Sequence, residues 1–252
     1  MPSTVSDRNW FSAGGSDYAQ YRPRYPAELA AFLASLAPDR QSALDVGCGN
    51  GQLTCLLADY FESVTGTDPS ETQIHSAVPH KRVTYHCAAA ETLPQDAKQY
   101  SLITAAQAAH WFKLEQFYRE VKRVAVPEAV IALISYGVLQ LEPSLNERFL
   151  RFYQDEIGPY WPPERQLVDN GYRDIYFPFS ELPTPTLRIS YQWTLQQLLG
   201  YISTWSAVTR ACEAGKTTVL QQFSRDIEVL WGDPQTLRPV SWPVIIRAGK
   251  VA

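Results

Sequence analysis

The sequence predicts an α/β fold built on a doubly wound, mostly parallel sheet. Two observations carry that expectation. Strand-like apolar runs alternate with amphipathic helical stretches as far as Gly137, which is the rhythm of βαβ units. The run from Tyr100 to Ala109 is apolar on both faces, as a strand covered by helices on both sides is. A chain of 252 residues is long enough to bury a substantial core, as one large domain with a sizeable insertion.

The elements follow in order. Phe11 to Pro26 (FSAGGSDYAQYRPRYP) is rich in Gly, Tyr, Arg and Pro and has no clear periodicity before Tyr25. Residues 1–26 are therefore expected as an N-terminal lid loop that orders on demand. Ala27 to Ala37 has helical apolar spacing, with Pro26 suited to its first turn. SALDVGC is a buried strand, and GQLTCLLADYF an amphipathic helix. SVTGTDP is a second strand, closed by Asp68 and Pro69. SETQIHSAVP is a helix that starts near Ser70 or Pro69. VTYHCAA and YSLITAAQAA are the third and fourth strands, LEQFYREVKRVA is a helix, and AVIALISYG is the fifth strand.

After Gly137 the rhythm breaks. PSLNERFLRFYQDEIGPYW is helical and aromatic-rich, and a Pro/Tyr/Phe-rich segment runs on to Pro185. Residues 138–185 are expected as an insertion capping the strand tips. In residues 186–252, TLRISYQWT alternates like a strand, LQQLLGYISTW is a helix, and a further helical stretch is interrupted near Gly215. VSWPVIIRAG is the closing strand. The two late strands would complete a seven-stranded sheet, with the last strand antiparallel.

Composition narrows the function. Apolar residues make up 45% and charged residues 19%, an ordinary globular balance. A net charge of −4 provides no strong basic field, so nucleic acid is not an expected partner. No apolar run is long enough to span a bilayer, and the N-terminal residues lack a signal pattern. The four cysteines form no CxxC pair and no His/Cys cluster. A reduced, cytoplasmic, metal-free protein without membrane contact is expected, as a monomer or weak homodimer.

The chemistry concentrates in LDVGCGNGQL. Gly47, Gly49 and Gly51 stand at every second position, after Asp45 at the strand end. In the dinucleotide fingerprint the third glycine follows the second by three residues, and the loop cradles a pyrophosphate. A carboxylate is a poor neighbour for a diphosphate and a good one for an ammonium group. Asp68 closes the second strand about 20 residues after the first glycine, where an acid binds a ribose diol; its alternative role is a helix N-cap. An acid for an amine, close backbone and an acid for a ribose together fit S-adenosylmethionine. They argue against a nicotinamide dehydrogenase.

LDVGCGNGQL, VTGTDPS, AAAETLP and AAQAAHWF resemble the successive motifs of class I S-adenosylmethionine-dependent methyltransferases of the type 11 group. YAQYRPRYP and LLGYISTWSAV resemble a narrower set, the trans-aconitate methyltransferase-like branch. The likeness runs from Phe11 to Gly137 and returns near Thr194 to Val208 and Trp242 to Lys250. It implies a Rossmann-like fold and S-adenosylmethionine as cofactor. It also implies cofactor contacts from the glycine loop (Asp45, Gly47, Cys48, Gly49, Gly51), from Asp68 and Pro69 for the ribose, and from Ala90 and Glu91 beside the adenine. Gln107 would lie beside the amino-acid part, and Tyr18 and Arg22 of the N-terminal loop would close over the carboxylate, with Arg24 a lesser candidate.

His110 and Trp111 are the catalytic candidates. Both follow the fourth strand's end, and a Trp face can steady a sulfonium. The alternatives are a satisfied loop histidine and a core tryptophan. Tyr153, Tyr160, Trp161, Tyr172, Tyr176 and Phe177 are expected partly as pocket lining and mostly as lid packing. Arg247, Arg210 and Trp205 are weaker candidates for an acidic substrate. One departure stands out: the family's usual Pro-Gly-Gly turn after the fourth helix is here Pro127-Glu128-Ala129. The expected activity is methyl transfer to a small molecule, such as the carboxylate of an organic acid. A hydroxyl or amine of a metabolite or protein, and a cofactor-binding protein without catalysis, remain alternatives.

Overall fold

The structure is a computed structural model that describes residues 22–251. Contacts divide the described residues into two compact units: Arg24–Val138, Glu164–Ile189 and residues 242–251 form the sheet unit, and residues 22–23, Leu139–Pro163 and Ser190–Ser241 the other. The stretch 138–185 is thus shared between the two.

In the sheet unit, helix α1 (Ala27–Leu36) precedes β1 (Ser42–Val46), α2 (Gln52–Leu57), β2 (Ser63–Asp68), α3 (Glu71–His75), β3 (Val83–Cys87), β4 (Tyr100–Ala106), α4 (Leu114–Val124) and β5 (Ala125–Tyr136). After β5, α5 (Pro143–Arg151) belongs to the other unit, and α6 (Arg165–Asp169) and β6 (Ser180–Leu182) return to the sheet unit. β7 (Leu187–Trp193) follows, then α7 (Leu195–Ser203), α8 (Ser206–Glu213) and α9 (Thr217–Trp231), and finally β8 (Arg238–Lys250).

The sheet has the order β3-β2-β1-β4-β5-β8-β6, with β7 also paired to β8. β1 through β5 pair in parallel, while β8 runs antiparallel to both β5 and β6. The fold is therefore Rossmann-like and doubly wound, with an antiparallel C-terminal edge. The order reverses between β1 and β4, and in such sheets ligands collect outside the strand ends at that reversal.

Burial explains why these strands sit at the centre. Tyr100 to Ala105 are all buried, and Ala129 to Ile134 are wholly excluded from solvent. Helix α4 presents Phe117, Tyr118, Val121 and Val124 to that layer and leaves its charged face outside. The second unit is held by a stacked Phe152–Phe223 pair with ring centroids 3.8 Å apart and by buried Arg148, which binds Glu156 and Asp226 at 3.1 and 2.7 Å.

Two local differences from the sequence reading have physical causes, and one expected break is observed. β6 has three residues, too few for a period to register. The late helical stretch breaks where expected, between α8 and α9 at Gly215 with φ +74°. β5 begins at Ala125 because the chain passes through a bulge: Tyr100 pairs with Ala125, but Leu102 with Val130. Glu128 occupies that bulge at φ +63°, so the left-handed turn survives without its glycines.

A side chain in that conformation costs about 1–2 kcal/mol, and the exposed Glu128–Lys250 pair at 2.7 Å returns little of it. Glu128→Gly is therefore expected to stabilise the protein by about 1 kcal/mol, measured by urea unfolding. A loss of stability, as for glycine in a regular strand, would contradict this strain.

Candidate functional site

The site is built from the loop that leaves β1. Gly47, Gly49 and Gly51 have φ of +69°, +54° and +87°. Every second residue is left-handed, a region that glycine enters without penalty, and this accounts for the two-residue spacing. Close approach adds a second demand. A Cβ on Gly47 would lie 2.5 Å from the Ala108 Cβ, and one on Gly51 would overlap the Tyr85 hydroxyl.

The loop is pinned to β2. The N–H groups of Gly47 and Cys48 both donate to the Thr67 carbonyl, at 2.7 and 2.9 Å. The Gly49 N–H donates to Asp68 Oδ2 at 2.9 Å, and the Ser70 N–H to Asp68 Oδ1 at 2.9 Å. Each carboxylate oxygen keeps acceptor capacity after that. The N-cap of α3 is Ser70, whose hydroxyl accepts from Gln73 N–H at 3.3 Å. Pro69 lies between the two and its carbonyl accepts from the Cys87 thiol at 3.5 Å.

Asp45 is placed differently from what its position in the motif suggests. It is 1% exposed. Thr54 Oγ1 donates to one of its oxygens and Thr104 Oγ1 to the other, both at 2.7 Å. Burial pushes its carboxyl up to about 6 from the ordinary 3.8, against the lowering effect of those two hydroxyls. The same burial, reinforced by Asp45 and Asp68, pushes the Cys48 thiol up. Cys48 therefore stays protonated, with its Sγ 3.5 Å from the Gly49 carbonyl.

The loop after β4 forms the opposite wall. Gln107 sits at φ +53°; its N–H donates to the Ile134 carbonyl at 2.8 Å and its side-chain amide to the Tyr136 carbonyl at 3.0 Å. A 3-10 turn over Ala109–Trp111 follows. The His110 ring is 4.9 Å from the Trp111 ring, and Trp111 is 59% exposed. His110 Nδ1 lies 2.9 Å from the Tyr172 hydroxyl. Burial, and then the charge of Arg165, hold the imidazole down at about 4, so the ring is neutral at neutral pH. Ala90 is buried, and Glu91 accepts the Lys113 N–H at 2.8 Å.

The remaining candidates fall elsewhere. Tyr18 lies outside the described residues. Arg22 belongs to the other unit, and Arg24 is exposed. Tyr153, Trp161 and Trp205 pack against one another with centroids 5.2–5.6 Å apart, in the unit that also holds Tyr160 and the exposed Arg210. Tyr176 is 75% exposed, and Phe177 packs on Phe179. Arg247 is engaged by Glu181 at 2.6 Å and by two main-chain carbonyls. Sequence reasoning missed Thr54 and Thr104 as partners of Asp45. The one available signal was a threonine in the middle of the apolar β4 run.

Comparison with known proteins shows the family. A family model described as a methyltransferase domain matches residues 44–133. A Dictyostelium discoideum protein bearing a methyltransferase name is 33% identical over 231 residues, covering 90% of this chain and 88% of its own length. A solved structure from Anaeromyxobacter dehalogenans, named for a type II methyltransferase, is 42% identical with a TM-score of 0.86, covering 91% of this chain and 98% of that one. A Saccharomyces cerevisiae protein named for S-adenosylmethionine-dependent methyl transfer is 28% identical over 146 residues, 54% of this chain and 49% of its own.

The buried acid has a pH signature. The Asp45 carboxyl is raised in the folded state, so its contribution is fully present below about pH 4 and lost as pH rises through about 6. Asp45→Asn cannot ionise. Relative to the natural chain, it should gain about 2 kcal/mol between pH 4 and pH 7.5, whatever constant offset its altered hydrogen bonds add. Urea unfolding of both proteins across that range checks this; a flat difference would contradict the buried acid.

Proposed function

This chain belongs to the class I S-adenosylmethionine-dependent methyltransferases, and from that premise we propose that it methylates the carboxylate of a small organic acid. S-adenosylmethionine is the cofactor of that family. Asp68 would accept hydrogen bonds from the ribose hydroxyls, beside the main-chain N–H groups it already holds. The glycine loop would bring main chain against the amino-acid part, and Ala90 with Glu91 would meet the adenine edge. Asp45 would act through its charge, from beneath the loop, on the ligand's ammonium group. Tyr18 and Arg22 are proposed for the carboxylate, and Gln107 for the same end of the ligand.

The observation that carries the acceptor class is the state of His110. A useful general base has a pKa near the working pH, whereas His110 is held at about 4 with one ring nitrogen already engaged by Tyr172. It is poorly matched to removing a proton from a hydroxyl or an ammonium. A carboxylate is already ionised and needs no base. Its oxygen attacks the methyl carbon in line, the carbon–sulfur bond breaks, and the electron pair stays on sulfur as a neutral thioether. An ester forms and no proton moves. The protein's task is alignment and exclusion of water. The exposed Trp111 face would offer its π-cloud to the sulfonium.

Two measurements test this. Asp68→Ala is expected to weaken S-adenosylhomocysteine binding roughly 10- to 100-fold by calorimetry, with no heat from NAD in either protein. Incubation with labelled S-adenosylmethionine and a panel of small acids, phenols and amines should give methyl esters. Products from phenols or amines alone, or no product from any member, would overturn the acceptor assignment.

A further inference from the structure

Tyr172 follows α6 in a costly conformation. Gly171 and Tyr172 are both left-handed, at φ +65° and +57°, and a bulky side chain there persists only where its surroundings hold it. Those surroundings are specific. The Tyr172 N–H donates to the Leu167 carbonyl at 2.8 Å. Arg247 Nη1 donates to the Tyr172 and Ile175 carbonyls at 2.8 and 2.6 Å, its Nη2 to Glu181 at 2.6 Å, and its guanidinium lies 4.8 Å from the Phe177 ring centre. The phenol is thereby driven wholly out of solvent, with its hydroxyl against His110.

A hydroxyl buried this completely must donate its proton to a partner or lose about 1–3 kcal/mol. Among the described residues the acceptor within reach is His110 Nδ1. Burial pushes the Tyr172 hydroxyl up, so it keeps that proton. If Tyr172 donates, Nδ1 carries none, and a neutral imidazole then holds its hydrogen on Nε2. No described residue hydrogen-bonds Nε2. The ring thus presents an N–H, and not a lone pair, beside Trp111.

We propose that Tyr172 is a positioning residue that locks His110 in the Nε2–H tautomer, so that the imidazole at the β4 end donates to an anionic acceptor and does not serve as a base. The proposal rests on the reading of His110 as part of the acceptor site. It deepens that reading by giving the acid's second oxygen a fixed donor while the first attacks the methyl group. Arg247 then serves the site at one remove, by holding the turn that carries Tyr172.

The tautomer is measurable without substrate or cofactor, so its outcome is separate from that of the acid panel. Protein labelled with ¹⁵N at its four histidines gives long-range ¹H–¹⁵N correlations for each ring at pH 7.5, with His110 assigned by its loss in His110→Gln. The expected pattern is a bare Nδ1 and a protonated Nε2. In Tyr172→Phe the ring should become a mixture of tautomers, while S-adenosylhomocysteine affinity stays within about 2-fold. A natural chain with its proton on Nδ1 would overturn the proposal, and should Tyr172→Phe fail to fold, that spectrum decides alone. So would a Tyr172→Phe protein whose His110 pattern is unchanged.

Discussion

The site depends on one backbone constraint, the alternation of left-handed residues after β1. It turns the chain sharply three times within five residues, so that the loop lies against the end of β2. There the Thr67 carbonyl takes two of its N–H groups and the Asp68 carboxylate takes a third. In a phosphate cradle such groups point at the ligand. Here the Gly49 N–H is satisfied by a carboxylate of the same protein, which suits a ligand that brings hydroxyls and an amine rather than phosphates. A single hydrogen bond between Gly49 and Asp68 therefore joins the shape of the loop to the carboxylate proposed for the ribose.

Around that loop ionisation is tightly limited. Asp45 is pushed up, the Cys48 thiol is kept protonated, and His110 is kept neutral; in each case burial is the largest cause. A site kept this low in charge strengthens the few charges it retains. A cationic ligand near Asp45 would favour the ionised acid, and by reciprocity the ionised acid would favour the cation. The proposed reaction of a carboxylate with a sulfonium would remove both charges, and low-dielectric surroundings assist a step that consumes charge.

Much of this was legible in the sequence because it is local. The glycine spacing, the Asp68 strand end and the alternation of strands and helices each occupy a short window, and each follows from the reach of a few consecutive dihedrals. The departure at Pro127-Glu128-Ala129 was also visible. What could not be read was that Glu128 would adopt the left-handed geometry itself, since the bulge between β4 and β5 that requires it is a property of two strands together.

By itself the sequence determined the parallel core, the strand-to-helix turn that shapes the loop and the acid at the end of β2, all set by neighbours within about one βαβ unit. The tertiary structure alone decided how the polar groups are shared out. It enclosed Asp45 between two threonine hydroxyls, and it brought a tyrosine 62 residues further along the chain against His110. Such pairings depend on where whole elements pack. No local spacing encodes that, because the interacting atoms meet only after the sheet and its covering turns are assembled.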